Sequence, residues 1–111
     1  MWLLAHINST LTLILTLKQV RLALKPGGVW LLADINSKEG VRENIKNPAS
    51  SLMYAFSTCL CLACGLSEQG GLGLGTLGFS VKVAQKMLVA GGFTQVRVMV
   101  EADTTRWFEV A

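Results

Sequence analysis

Charge is scarce in this chain of 111 residues: 15% are Asp, Glu, Lys or Arg, against about 25% in ordinary soluble domains. That poverty excludes a disordered, charge-solvated chain and a charge-laced coiled coil. The net charge of +3 is spread thinly. Lys18, Arg21 and Lys25 lie close together but have no interleaved aromatics, so they read as a solvated helix end and not as a nucleic-acid face. Histidine occurs once, as His6, with no organised partner and hence no catalytic triad. Cys59, Cys61 and Cys64 are an odd set, which argues against a disulfide framework. Their C-x-C-x-x-C spacing lacks the fourth ligand a zinc site needs. They read as buried, reduced, inert thiols, and a cytoplasmic setting is expected. Apolar runs of spanning length are missing too. Leu52–Leu66 is broken by Ser57 and Thr58 and falls short of the roughly 20 residues a membrane helix needs. Met1–Leu17 begins without a basic region and shows no small-residue cleavage site, so no signal peptide is expected. The sequon Asn8-Ser9-Thr10 carries no meaning without secretion.

What the chain has in plenty is apolar residues, 51% of the total. The length allows one small domain. That excess fits either a membrane-associated protein or part of a larger fold whose apolar faces await covering, and the short runs favour the second.

Along the chain, Ser9 or Thr10 can cap a helix running to about Leu24, with Leu13, Leu17, Val20 and Leu24 on one stripe. Pro26 stops it, and Gly27-Gly28 make the turn. Val29–Ile35 is a continuous apolar run, the pattern of a strand covered on both faces in an α/β sheet. Asp34 ends it, where open α/β sheets bind ligands. A polar stretch, 36–47, leads into a second helix near 48–64. Ser67–Gly78 is glycine-rich and reads as a loop between two helices. Ser80 caps a helix near 80–90. A strand near 94–101 follows, with Val96, Val98 and Val100 alternating against polar residues. The chain ends in a strand near 106–110 that turns back antiparallel.

Gly73-Leu74-Gly75-Thr76-Leu77-Gly78 matches G-x-G-x-x-G and precedes a helix and then a strand ending at Glu101, the place of the ribose-binding acid in a dinucleotide fingerprint. A dinucleotide fingerprint also requires a buried strand before the glycines, so that a pyrophosphate meets the helix N-terminus. The preceding residues read as loop and helix, which weakens that alternative.

Leu24-Lys25-Pro26-Gly27-Gly28 followed by Val29-Trp30-Leu31-Leu32-Ala33-Asp34 resembles the entry to the fifth strand of class I S-adenosylmethionine-dependent methyltransferases. Ala90-Gly91-Gly92-Phe93-Thr94-Gln95-Val96-Arg97-Val98 is similar to that family's passage from its last helix to the sixth strand. Arg106–Ala111 resembles the seventh. The helix with Tyr54 and the glycine-rich connection resemble the insert over the substrate pocket of small-molecule methyltransferases. In that family the cofactor lies on a glycine-rich turn after the first strand, with an acid ending the second. Nothing before Leu24 supplies those parts.

The resemblance implies a partial Rossmann-like α/β sheet over residues 1–111, one internal strand plus a C-terminal antiparallel pair. It corresponds to the C-terminal part of a methyltransferase acting on a small-molecule acceptor. S-adenosylmethionine is the cofactor of the parent family; none is expected to be bound by this chain alone. Asp34, Asn36 and Tyr54 are the residues placed near a substrate. Each also has a structural explanation: the first two as strand-end turn formers, the third as a core aromatic with its hydroxyl at the edge. Association through exposed apolar sheet surface is expected. A dinucleotide-binding module and a small membrane-associated or interaction protein are the alternatives.

Overall fold

The computed structural model of the chain describes residues 10–67 and 69–111. It is a mixed α/β unit. In order the elements are α1 (Thr10–Ala23), β1 (Trp30–Ile35), α2 (Val41–Asn44), α3 (Ser50–Phe56), a π-helical segment (Ser57–Cys61), α4 (Leu62–Gly65), α5 (Val81–Ala90), β2 (Val96–Glu101) and β3 (Thr105–Val110). His6, Asn8 and Ser9 lie outside the described residues, so the proposed Ser9 cap does too.

Local chemistry explains several junctions. After α1 the chain reverses through Lys25-Pro26-Gly27-Gly28, where the Gly28 N–H donates to the Lys25 carbonyl at 2.8 Å. Proline's fixed φ suits the second position of this turn, and Gly27, at φ +73°, supplies the left-handed third position. At the start of α5 the Ser80 hydroxyl accepts from the Val83 N–H at 3.4 Å, as its sequence position predicts. A Cβ on Gly91, just past α5, would lie 2.6 Å from the Leu17 side chain, so the two helices meet where a side chain is missing.

The three strands form one sheet in the order β1-β3-β2. Both β1 and β2 pair antiparallel with β3, and they therefore run parallel to each other. The C-terminal antiparallel pair agrees with the sequence. The internal strand does not: it is β3, the last in the chain, and β1 pairs with it antiparallel. Strand order is set by contacts distant in sequence, which local patterns do not encode.

Register divides the sheet into rows. Trp30, Val110 and Val96 align, as do Leu32, Phe108 and Val98. These rows pack into one core with Leu13 and Leu17 of α1, Ala84 and Leu88 of α5, and Phe79 and Phe93. Phe79 and Phe108 meet edge to face at 6.3 Å. Burying each such side chain stabilises by about 1.5–3 kcal/mol. The other face carries the row Leu31, Glu109, Arg97 and the row Ala33, Trp107, Val100. Leu31 is 59% exposed, so a strand whose apolar pattern suits cover on both faces leaves one face open, as the expected exposed apolar sheet surface requires. The helices α1 and α5 share one core, and among the described residues the opposite face of β1 receives no comparable layer.

The alternation of Val96, Val98 and Val100 also breaks. Val98 pairs with Phe108 but Val100 pairs with Trp107, so Met99 is an extra residue in a bulge. The bulge turns Val100 to the open face and sets Glu101 opposite Arg106.

Candidate functional site

Because β1 and β2 are parallel, their carboxyl ends come together beside the β2–β3 turn. The third row of the covered face lies there: Asp34, Arg106 and Glu101. Arg106 is almost completely buried. Its Nε donates to Glu101 Oε1 and its Nη2 to Asn36 Oδ1, both at 2.7 Å, and its guanidinium lies over the Phe108 ring. Nη1 is buried without a hydrogen-bond partner. Asn36 is also tied down, donating to the Ala102 carbonyl at 2.6 Å, and Asn47 donates to the Asp103 carbonyl at 2.7 Å. Two asparagines thus anchor the hairpin turn to the loops after β1 and α2.

Around this frame opens a cleft of about 700 Å³, lined by Asn36, Lys38, Glu43, Lys46, Asn47 and Glu101 among others. Its charges are largely paired. Lys38 faces Glu101 at 3.4 Å and Lys46 faces Glu43 at 2.6 Å. Such exposed pairs contribute little stability, and with Glu39 and Asp103 also on the lining its acids outnumber its lysines. The two acids that flank buried Arg106 titrate in opposite directions. The hydrogen bond from Arg106, with help from Lys38, holds Glu101 below the usual carboxylate range. Burial pushes Asp34 above it, only partly offset by the Ile35 N–H and the Arg106 charge.

Of the residues anticipated near a substrate, Asn36 lines the cleft. Asp34 sits in the row behind it, its Oδ1 accepting from the Ile35 N–H at 2.6 Å. Tyr54 is partly buried, and its hydroxyl accepts from Asn44 Nδ2 at 3.3 Å. Asn44 in turn clasps the backbone of Lys38 through both ends of its amide, at 2.6 and 3.2 Å. Asn36, through Arg106 and Glu101, and Tyr54, through Asn44, thereby meet at Lys38, whereas the Asp34 carboxylate bonds only to the adjoining N–H. Arg106 and Asn44 have no place in the sequence reading, and Glu101 enters it only as the strand-end acid of the dinucleotide alternative. A lone arginine among apolar strand residues was the available signal for Arg106; Glu101 needed the bulge to be visible.

The glycine-rich loop serves packing. Among the described residues no strand leads directly into Gly73; α4 and a turn come immediately before it. Gly75, at φ +65°, rests on Ser57, whose Oγ a Cβ would overlap. Gly73 is similarly closed by Leu66, and Gly78 by the Leu74 carbonyl. The cysteines divide: Cys61 is buried, while Cys59 and Cys64 are exposed, which corrects the expectation that all are buried; all three are free thiols. Among the described residues no group of three or more His, Cys, Asp or Glu side chains could hold a metal ion, and no helix is long and apolar enough to cross a membrane. No protein-family model and no curated protein matches the chain.

Proposed function

We propose that this chain is the C-terminal part of a class I S-adenosylmethionine-dependent methyltransferase fold, and that its strand ends form the acceptor side of the site. The observation that carries this is the convergence at one edge. The three strands occupy the stretches that resemble the family's fifth, sixth and seventh, and the parallel β1 and β2 deliver Asp34, Asn36 and Glu101 to the same end. In open α/β sheets, ligands bind outside the carboxyl ends of parallel strands. The exposed apolar face of β1 and β3 is consistent with a doubly wound sheet whose second layer lies elsewhere.

The described residues do not fit the cofactor. The family's site needs glycines directly after a strand. Here Gly73, Gly75 and Gly78 follow a helix, and each lies against Leu66, Ser57 or the Leu74 carbonyl on the side where a Cβ would stand. The same packing weighs against dinucleotide binding at this loop. What this chain's own residues can do is shape and orient an acceptor, the part of methyl transfer that depends on proximity. Titration calorimetry of the purified chain with S-adenosylmethionine should register no binding, and micromolar affinity would overturn the proposal. Translation of the adjoining upstream DNA should reveal a strand followed by a glycine-rich turn; a frame encoding neither would overturn it equally.

A further inference from the structure

All seven acidic residues of the chain lie at or after Asp34, and from there on seven bases balance them. The whole net charge of +3 therefore rests on Lys18, Arg21 and Lys25, which corrects the reading of that charge as thinly spread. Two of these cations belong to α1 and the third to the turn after it. All three are exposed, and among the described residues none of them forms an ion pair. The outer side of α1 is also apolar. Leu13 and Leu17 turn inward and are buried, while Leu11, Leu15 and Leu22 are 67%, 51% and 77% exposed. With Lys18 the exposed leucines follow the spacing i, i+4, i+7 and i+11, which makes one stripe on a helix. At about 100° per residue that stripe points away from the buried one.

A single exposed leucine is ordinary. Three in register, with cations beside them and no acid on the helix, make the pattern of a helix that lies in a membrane interface. Lysine and arginine stems rest on apolar surface while their charged ends reach outward. A nucleic acid would meet only three cations and no stacking aromatics here. A two-fold copy of the chain would bring the cations together with no acid to answer them. We propose that α1 docks on the surface of an anionic lipid bilayer, its exposed leucines below the headgroups and Lys18, Arg21 and Lys25 among them. The helix has 14 residues, about 21 Å at 1.5 Å per residue, short of the roughly 30 Å that a span requires. It therefore lies on the membrane and does not cross it. This docking depends on α1 and its following turn, and is independent of the methyltransferase reading.

The test is sedimentation of the full chain with lipid vesicles. Vesicles of two parts phosphatidylcholine to one part phosphatidylserine should bind it at least tenfold more tightly, on the order of one or two cations' worth of attraction, than phosphatidylcholine alone. Salt at about 1 M, where the Debye length falls to about 3 Å, should release it. Lys18→Gln, Arg21→Gln and Lys25→Gln combined should weaken binding to the mixed vesicles about a hundredfold, each cation near such a surface being worth about fivefold. Leu15→Gln with Leu22→Gln should weaken it about tenfold or more. Leu31→Gln, on the open face of the sheet, should leave it unchanged. In the unaltered chain a spin-labelled lipid should broaden the methyl resonances of Leu11, Leu15 and Leu22 before that of Leu31, which locates the contact even where a variant fails to fold. Equal binding to both kinds of vesicle, full binding by the triple variant, or earlier broadening of Leu31 would each overturn the proposal. So would a chain that ignores vesicles and sediments as a dimer dissociated by the leucine substitutions, which would assign the stripe to a second copy.

Discussion

The two faces of the sheet are built from the same three strands, one residue out of phase, and they have different fates. On one face Leu32, Phe108 and Val110 are fully buried under α1 and α5. On the other, Leu31, Trp107 and Val100 remain 59%, 43% and 56% exposed. The pleat sends alternate side chains to opposite sides, so an apolar run such as Trp30–Ala33 supplies both faces. The covered face shows what this chain can satisfy by itself. The open face shows what it leaves for another layer.

Neighbouring residues on β3 give the largest test of that contrast. Phe108→Ala, on the covered face, should cost about 3–5 kcal/mol and unfold much of the chain at room temperature. Trp107→Ala, one position away, should cost about 1 kcal/mol or less. Chemical denaturation of both variants measures the difference; similar losses would mean that the open face is covered in solution. Leu31→Lys sharpens the point. It should leave stability within about 0.5 kcal/mol and reduce self-association seen by gel filtration.

Next in size is Gly75→Ala. The left-handed backbone costs about 1–3 kcal/mol for a residue with a Cβ, and the overlap with Ser57 Oγ adds to it. Measured against Ser57→Ala alone, which also loses the bond from the Thr76 N–H, the double variant should show the backbone part without the overlap part. Thermal melts of the single and double variants separate the two. A phosphate-cradling glycine would show its loss in nucleotide affinity instead, with stability little changed.

The elements that sequence patterns made legible are the ones with short-range causes. The Leu13–Leu17 stripe, the Ser80 cap, the Pro26–Gly27 turn and the final hairpin each follow from residues within a few positions. Asp34 and Asn36 were placed because a strand end is a local feature. The position of β3 between β1 and β2 was hidden, since it depends on pairing between Trp30 and Val110, far apart in the chain. So was the burial of Arg106, whose partners Asn36 and Glu101 come from two other segments. The π-helical segment was hidden too. There the Thr58 hydroxyl returns to the Tyr54 carbonyl and Ser57 is engaged by the Thr76 N–H, side-chain competition that becomes clear only in three dimensions.

The polar row Asp34–Arg106–Glu101 allows a smaller test, in acid. Asp34 has its pKa raised on folding, so its stabilising contribution is complete below the ordinary carboxylate range and is lost as pH rises through the folded value. Glu101 is lowered, so its contribution is present above that range and is lost as pH falls through the folded value. Asp34→Asn, which keeps an acceptor for the Ile35 N–H, should therefore melt higher than the parent at pH 7 and equal to it near pH 3. Glu101→Gln should melt lower at pH 7, with the gap closing on acidification. Parallel melting curves for either variant across this range would refute the assigned direction.

The smallest expected effect falls on the bulge. Deleting a residue inside a strand ordinarily slips the register and inverts every later side chain. Met99 should be the exception. The bulge already skips it: Val100 faces Trp107 and Glu101 faces Arg106 with Met99 left over. Its removal makes a regular strand with the same downstream pairs, and Met99 is itself 47% exposed, so little packing is lost. Deletion should cost no more than about 1 kcal/mol and preserve the acid-dependent gap of Glu101→Gln. Deleting Val98 instead removes a covered-face side chain and should cost more. If the Met99 deletion is the more damaging of the two, the bulge contributes more than alignment, and the twist it adds to β2 would then be what holds Glu101 against Arg106.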